Sequence, residues 1–199
     1  FHEVDRSAEN FDTVDCELTY ASTSDKFDRA APYQYIIPRG AGKYPTGAFD
    51  CGCIYAAAPI DMGDKLCFYY MGGNGRHTNF RETSFARGFL PKDKFAWYQQ
   101  REANRPATLP TSRFIYGNYL SVLADVEDGG EWSVALAPSW KDEPYEGFGF
   151  EDCELTPEAD GYTRVQFRGR ELMDLEIATV CLIFRFHKTK LYALRGEIV

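Results

Sequence analysis

The sequence lacks the features that mark nucleic-acid-binding and membrane-spanning proteins. Its 22 basic residues are outnumbered by 30 acidic ones, which gives a net charge of −8, and no cluster of Lys or Arg is longer than a pair. Because phosphate neutralisation needs a concentrated basic surface, we expect no nucleic-acid partner. The longest uncharged apolar run, Ile54 to Ile60, is far shorter than the roughly 20 residues that cross a bilayer as a helix, so we expect no membrane partner.

The motifs of metal, cofactor and nucleophilic sites are also missing. No two cysteines form a Cys-x-x-Cys pair, and the three histidines, His2, His77 and His187, stand far apart without partner motifs. No Gly-x-Ser-x-Gly occurs, and the glycine-rich run from Gly72 to Gly75 is not followed by the Lys-Ser/Thr of a phosphate-binding loop. The sequence therefore predicts no metal site and no cofactor.

The six cysteines leave two interpretations open. One is disulfide bonding, within a local pool of four in the first part of the chain and between Cys153 and Cys181 in the second. The other is that most of them are small buried hydrophobic residues. The chain begins at Phe1 rather than Met, which suggests a processed or truncated product, and it has no Asn-x-Ser/Thr sequon. A secreted location is the expectation, and the source compartment stays open.

Short runs of β-branched and aromatic residues, each closed by a Gly, Asp or Pro turn, recur along the whole chain. No segment has a convincing helical period. From Val14 to Tyr20 apolar and polar residues alternate, as in a half-buried strand, and the aromatic content of 16% suits pleated, half-buried surfaces. The sequence therefore predicts an all-β fold.

In the first half of the chain, the pattern predicts four further strands. Phe49 to Ile60 is nearly apolar on both faces from Ile54 onward, which predicts a strand in the interior of a sheet. Leu66 to Met71 is its expected partner. Thr83 to Leu90 and Phe95 to Tyr98 follow as strands, separated by a Pro-Lys-Asp-Lys turn.

A polar stretch with two prolines, Gln99 to Pro110, is the best candidate for a domain boundary, which we place near Ala103. This gives a first region of residues 1–102 and a second of residues 103–199. Turns at Glu127 to Gly130 and His187 to Thr189 are expected to separate strands of the second region. Its six predicted strands are Leu120 to Asp125, Trp132 to Ala137, Phe148 to Cys153, Thr163 to Phe167, Val180 to Phe186 and Leu191 to Ile198.

Six strands at this spacing predict a two-layer β-sandwich, and one jelly roll over the whole chain is the alternative. The alternation within the strands also predicts which side chains fill the core of the second region. They are Leu120, Val122, Trp132, Val134, Phe148, Phe150, Val165, Phe167, Leu182, Phe184, Leu191 and Tyr192.

Several motifs, taken in order, carry a family resemblance. The segment from Tyr20 to Phe27 is similar to a Ser-x-Asp-type blade turn that ends in an aromatic residue. The segment from Phe49 to Ala57 is similar to the inner strand of a propeller blade, and the segment from Phe68 to His77 is similar to the second strand and its loop. Further along, Gly147 to Cys153, Val165 to Gly169 and Lys190 to Leu194 match in order and spacing. The chain resembles glycosyl hydrolase family 32-like and 43-like five-bladed β-propeller proteins, specifically their last blades and C-terminal β-sandwich.

The resemblance implies partial propeller blades in residues 1–102 and a β-sandwich in residues 103–199. It also implies that the carboxylates which hydrolyse the substrate lie on earlier blades. Glycoside hydrolysis needs two carboxyl groups flanking the bond, and the sequence offers one candidate, Asp50, at the start of the inner strand. The alternative for Asp50 is a turn residue bonded to solvent or to a backbone N–H.

Three other residues are candidates for saccharide binding beside Asp50. Arg76 and His77 follow the glycine-rich run and have donors for sugar hydroxyls, although His77 fits a surface loop equally well. Trp140 lies in a polar turn between two prolines, which favours an exposed ring that could stack on a sugar, whereas Trp132 alternates with apolar residues and is expected in the core.

The leading hypothesis is the C-terminal part of a glycosidase-like protein with a role in carbohydrate binding or processing, not catalytic as an isolated chain. The expected partner is a glycan, together with upstream blades or another chain. The alternative is a secreted structural or protein-interaction module on a glycosidase-derived scaffold, because a fold does not fix a function.

Overall fold

The computed structural model describes residues 6–8, 10–23, 25–113, 117, 119–175 and 179–196. The chain divides into two compact units, Phe1–Phe95 and Ala96–Val199. The fold is all-β, as the sequence predicted: strands account for the regular structure of the described residues, apart from one 3₁₀ turn at Leu172–Asp174. No helix in the described part of the chain is both long and apolar enough to span a membrane.

The division between the units falls before the predicted boundary at Ala103, so residues 96–102 belong to the second unit. The physical reason is a pair of backbone hydrogen bonds: Tyr98 N donates to Leu191 O at 2.9 Å, and Leu191 N donates to Tyr98 O at 3.0 Å. The chain is therefore bonded to the second unit at Tyr98, just before the polar stretch that suggested the boundary.

Two small antiparallel pairs open the first unit. Strand β1 (Cys16–Glu17) pairs with β4 (Tyr35–Ile37), and β2 (Thr19–Thr23) forms a hairpin with β3 (Lys26–Arg29). Segment 10–14 is joined to the next sheet, because Ile54 N donates to Val14 O at 2.9 Å. The N-terminal segment is thereby held against β5 (Cys53–Ala56).

A four-stranded antiparallel sheet forms the main part of the first unit. Its central strand, β7 (Lys65–Gly73), pairs along one edge with β8 (Thr83–Pro91) and along the other with β5 and β6 (Ile60–Asp61). The prediction of one interior strand from Phe49 to Ile60 is therefore wrong. Pro59 has no N–H to donate, the chain leaves the sheet at residues 57–59, and Ile60 is 52% exposed on an edge strand.

Phe95 to Tyr98 was predicted as a strand, and within it the structure pairs only Tyr98, through an isolated bridge to Leu191. The prediction of Leu66 to Met71 and Thr83 to Leu90 as strands is confirmed by β7 and β8. Both lie inside the observed strands, which extend slightly beyond the predicted bounds.

The second unit has a five-stranded antiparallel sheet. Strands β10 (Leu120–Ala137) and β13 (Cys181–Gly196) are the longest in the described chain and pair along almost their whole length. The shorter strands are β9 (Ala107–Pro110), β11 (Cys153–Pro157) and β12 (Tyr162–Phe167). The spatial order across the sheet is β11-β12-β10-β13-β9.

Turns that separate strands were predicted at Glu127 to Gly130 and at His187 to Thr189, and both predictions are wrong. Both segments lie within continuous strands, at a register shift between the pairs Val126 with Thr189 and Glu131 with His187. Gly129 (φ 69°) and Lys188 (φ 46°) take the left-handed backbone conformation there. A bulge of this kind bends a strand, so four predicted strands are two long bent ones.

The main core cluster of the second unit receives side chains from both halves of each bent strand. Ten of the twelve predicted core side chains are buried, and Phe150 and Tyr192 are half-buried. Phe150 packs against a smaller cluster of Ala137, Cys181 and Ile183. The predicted strand from Phe148 to Cys153 is wrong, since residues 149–152 form a turn in which Asp152 N donates to Gly149 O at 3.2 Å.

The β-sandwich and propeller-blade descriptions stay predictions, and Ile198, at the end of the last predicted strand, lies outside the described residues.

Candidate functional site

A direct contact between two backbones forms the floor of the candidate site in the first unit. Gly52 lies just before β5 and Gly75 just after β7. A Cβ atom on Gly52 would stand 2.0 Å from Gly75 O, so no larger residue fits without displacing the backbone. Gly52 N also donates to Gly73 O at 2.9 Å. The glycine-rich run from Gly72 to Gly75 therefore allows its backbone to pack directly against the backbone of Gly52.

Two buried thiols donate hydrogen bonds to the loop of Asn74 and Gly75. Cys51 Sγ donates to Asn74 O at 3.1 Å, and Cys53 Sγ donates to Gly75 O at 3.4 Å. Burial raises the pKa of the Cys51 thiol, so it stays protonated and able to donate. All six cysteines of the chain are free, which agrees with the interpretation of small buried residues rather than with disulfide bonding.

An open cleft of about 870 Å³ lies above this floor. Its walls come from Ser7, Ala8, Asn10 and Thr13, from the loop of residues 39–44 and from residues 79–80. The lining combines three cationic side chains with three amides and two aromatic rings; these are Arg39, Lys43, Arg76, Asn10, Asn74, Asn79, Tyr44 and Phe80.

The two aromatic rings lie at nearly a right angle to each other. The ring centroids of Tyr44 and Phe80 are 6.1 Å apart and their planes make an angle of 73°. Both rings are substantially open to solvent, with Tyr44 46% and Phe80 74% exposed. Water is a poor environment for ring faces, so two such rings in one cleft suit a ligand that covers them.

Hydrogen bonds fix the polar groups at the base of the cleft. Asn74 is buried, and its amide donates to Glu82 Oε2 at 3.1 Å and accepts from Glu82 N at 2.9 Å. Arg39 Nε donates to Asp15 Oδ1 at 2.6 Å, and its Nη1 donates to Cys51 O at 2.8 Å. These contacts hold both side chains in place before any ligand binds.

A carboxylate anchors the loop that carries Arg76 and His77. His77 N donates to Asp12 O at 2.8 Å, and Thr78 donates to Asp12 Oδ2 from its backbone N at 2.9 Å and from its hydroxyl. The pKa of Asp12 lies below its ordinary value, chiefly because of the Thr78 hydroxyl, with further help from Thr78 N, His77 and Arg76 against the effect of burial. Asp12 is therefore ionised and connects the N-terminal segment to this loop.

The imidazole of His77 does not line the cleft and is hydrogen-bonded to Tyr55 of β5. Its Nδ1 shares a 2.5 Å hydrogen bond with the Tyr55 hydroxyl, and Arg81 donates to His77 O. Burial raises the pKa of Tyr55 to about 12, with a smaller contribution from Cys53 that Arg81 partly offsets. Tyr55 therefore keeps its proton, and the His77 ring is fixed by the sheet.

Asp50 lies on the other face of that sheet. Gly72 and Gly73 are neighbours in β7, so side chains at these positions would point to opposite faces. A Cβ on Gly72 would lie 2.5 Å from Asp50 Cβ, whereas one on Gly73 would lie 2.8 Å from Arg81 Cδ. The Asp50 carboxylate accepts a 3.0 Å hydrogen bond from the Tyr70 hydroxyl and is buried.

Within the first unit, the structure therefore does not bring the predicted residues Asp50, Arg76 and His77 into one site. Arg76 lines the cleft, His77 is bonded to Tyr55 beside it, and Asp50 packs on the opposite face of the sheet. Trp140 belongs to the second unit, where it is 62% exposed, as the sequence predicted, and Lys141 Nζ lies 4.9 Å from its ring centre.

Sequence reasoning missed Tyr44, Phe80 and the amides of the cleft wall. The loops that carry them have no periodic pattern, and the one local signal was the small-residue run from Gly40 to Gly42, which lets residues 39–44 turn tightly. A Cβ on Gly42 (φ 91°) would lie 2.7 Å from Gly47 Cα.

The second unit has a smaller pocket of about 320 Å³, lined mainly by apolar side chains such as Leu109, Phe184 and Leu191. It offers fewer polar groups than the first-unit cleft, which is why the latter is the candidate site. Within the described residues no three His, Cys, Asp or Glu side chains are placed to hold a metal ion, and His2 lies outside them.

A scan of protein-family models, a search of curated proteins and a search of solved structures each gave no match to this chain.

Proposed function

We propose that this chain is part of a glycosidase-like protein and that its first unit binds a saccharide in the cleft of Tyr44 and Phe80. The observation that carries the proposal is the pair of exposed, nearly perpendicular rings in a cleft lined by amide and guanidinium donors. The apolar face of a sugar ring covers an aromatic face, while its hydroxyls need directed polar partners, so this combination suits a saccharide.

The polar lining fits the hydrogen-bonding character of sugars. A hydroxyl both donates and accepts, and an Asn amide offers two donors and an acceptor on one small side chain. Asn10 and Asn79 lie in the same cleft as Arg76, which has donors only. A ligand with several hydroxyls can therefore bond at several points while one ring face lies on Phe80.

Binding is better supported than hydrolysis. Hydrolysis of a glycosidic bond needs two carboxyl groups on either side of it, and the described residues that line the cleft include no Asp or Glu. The Asp50 carboxylate accepts a hydrogen bond from the Tyr70 hydroxyl and is not among the residues that line the cleft. The proposed role is therefore recognition of a saccharide, with any bond cleavage performed elsewhere.

A glycan array followed by titration of the best saccharide tests this proposal. Phe80→Ala should weaken binding by about tenfold or more, because it removes a stacking face. Phe27→Ala is the matched control, since Phe27 is 70% exposed in the same unit against 74% for Phe80 and does not line the cleft. Its affinity should stay within about twofold of the wild type.

Thermal melting of both variants separates a binding defect from unfolding. The proposal fails if no saccharide binds the wild-type chain, or if Phe27→Ala and Phe80→Ala reduce affinity equally.

One observation favours a second function, a protein-interaction module. Phe85 is 85% exposed on β8, and the strand register puts it on the same face as Tyr69 and Phe89, with Lys65 and Arg87 near the Phe89 ring. An exposed aromatic sheet face of this kind is typical of a docking surface. A chain that binds no saccharide, and whose Phe80→Ala variant behaves like the wild type, would favour this function.

A further inference from the structure

The charge of the cleft differs in sign from that of the whole chain. The chain has a net charge of −8. Yet Arg39, Lys43 and Arg76 line the cleft, and no carboxylate is among its described lining residues. A concave surface lined by one sign of charge focuses its potential and attracts a ligand of the opposite sign.

Arg39 has a structural partner that accounts for its charge. Its Nε lies 2.6 Å from Asp15 Oδ1, and the two side chains are only 22% and 4% exposed. A partly buried pair of this kind serves the fold, because removing either member would leave an uncompensated charge. Arg39 therefore forms part of the cleft wall, while its charge is largely balanced by Asp15.

Arg76 is placed differently, because it is exposed in the cleft and the carboxylate near it is Asp12, whose pKa it helps to lower. The residue is exposed, and its guanidinium carbon lies 5.3 Å from the centre of the Phe11 ring. Packing against a ring orients the guanidinium plane and leaves its fork of N–H donors available. The nearby Asp12 carboxylate is bonded at Oδ2 by both donors of Thr78, so it supports the loop.

We propose that the saccharide bound in this cleft carries an acidic group, a carboxylate or a sulfate ester, and that Arg76 binds that group. The inference rests on the proposed saccharide-binding function and names the class of ligand. A planar guanidinium forms two parallel hydrogen bonds with a carboxylate or with two oxygens of a sulfate, and these charge-assisted bonds are stronger than neutral ones. The rings of Tyr44 and Phe80 then cover the sugar to which the acid is attached.

The experiment measures the affinity of the full chain for three matched ligands: galactotriose, trigalacturonate and 6-sulfated galactotriose, with inorganic sulfate as a fourth probe. An array of other hexose backbones in the same three forms extends the comparison. The acidic forms should bind at least about tenfold more tightly than the neutral form. That preference should shrink as the ionic strength rises from about 0.01 M to 0.15 M, because the Debye length falls from about 30 Å to 8 Å.

Arg76→Gln supplies the residue-specific test. It should remove most of the preference for acidic ligands and leave the affinity for the neutral ligand within about twofold. Arg87→Gln is the matched control, because Arg87 is also exposed, its guanidinium lies 5.4 Å from the Phe89 ring, and it does not line the cleft. Both variants change the net charge equally, so a loss confined to Arg76→Gln reports the site and not the overall charge.

The outcomes separate the two proposals. Equal binding of neutral and acidic forms overturns the acidic-ligand inference and leaves saccharide binding standing. Binding of inorganic sulfate that Arg76→Gln abolishes, with no saccharide bound on the array, keeps an anion site and overturns saccharide binding. Equal losses in Arg76→Gln and Arg87→Gln overturn the role of Arg76, and no binding of any probe overturns both proposals. A preference for carboxylate over sulfate, or the reverse, decides which acid the ligand carries.

Discussion

Among the described residues, the second unit buries twenty apolar side chains, whereas the first unit buries five, of which three are cysteines. The second unit packs most of its buried residues into one cluster enclosed by two bent strands. The first unit instead holds its loops with hydrogen bonds from Asp12, Asn74 and Arg39 and with the contact of Gly52 against Gly75. The two halves of this chain are thus stabilised by different interactions.

The buried polar residues show the same division. Of the described residues, Asp12, Thr13, Asp50 and Asn74 are buried polar side chains of the first unit, and Ser121 and Thr189 are those of the second. Buried polar groups are costly unless they are bonded, and a unit that bonds them can present further polar groups in fixed positions. This difference explains why the candidate binding cleft is found in the unit with the smaller apolar core.

The largest expected effect comes from the core of the second unit. Phe184 is 2% exposed within the main cluster, so Phe184→Ala should lower the free energy of unfolding by about 3–5 kcal/mol. Val126→Ala is the control on the same sheet, since Val126 is 49% exposed. Urea unfolding measures both, and a loss below about half a kcal/mol for Phe184→Ala would contradict the assignment of stability to this core.

A smaller effect is expected where the first unit depends on backbone contact. Gly52→Ala places a methyl group 2.0 Å from Gly75 O and should cost about 1–3 kcal/mol through displacement of the loop. Amide hydrogen exchange should then show lost protection at Ile54, whose N–H bonds Val14 O, and unchanged protection at Val134. Gly88→Ala meets nothing within 4 Å and is the control. Equal losses of stability in Gly52→Ala and Gly88→Ala would contradict the structural importance of the contact between Gly52 and Gly75.

Asp50 separates a structural role from a binding role. Asp50→Asn weakens the hydrogen bond from Tyr70 and should lower stability by about 1–2 kcal/mol. Saccharide affinity should stay within about twofold of the wild type, because Asp50 is not among the residues that line the cleft. Tyr70→Phe removes the same bond and should behave alike. A tenfold loss of affinity with unchanged melting would restore the functional hypothesis for Asp50.

The smallest effect concerns the pH dependence of the first unit. The pKa of Asp12 is lowered in the folded chain from its usual 3.8, so its ionised form stabilises the fold above that pH. Wild type should be more stable than Asp12→Asn at neutral pH. The difference should shrink as the pH falls below about 4 and through the lowered pKa of the folded state. Thr78→Val, which removes the chief cause of the shift, should weaken the same pH dependence, and a pH-independent difference would contradict it.

Local pattern predicted the strand content and most of the core, because alternation reports which side chains face inward. It failed at Glu127 to Gly130, since a glycine-rich turn and a glycine-rich bulge have the same local sequence and only the partner strand distinguishes them. The sequence prediction also grouped Asp50 with His77. Asp50 packs against Gly72 and Arg81 packs against Gly73, on opposite faces of β7, and the sequence alone does not show which loop residue packs on which face. The cleft wall of Asn10, Tyr44 and Phe80 depends on loops packed by tertiary contacts, which no periodicity encodes.

The two bent strands also have a kinetic consequence. Strand β10 pairs with β13 only after the chain has passed through β11 and β12, so contacts such as Ser121 with Arg195 close a long loop. Loop closure of this length is entropically unfavourable and slows folding, whereas the consecutive strands β5 to β8 form short-range contacts. We therefore expect the more apolar second unit to be the slower one to fold, with strands β5 to β8 of the first unit pairing first.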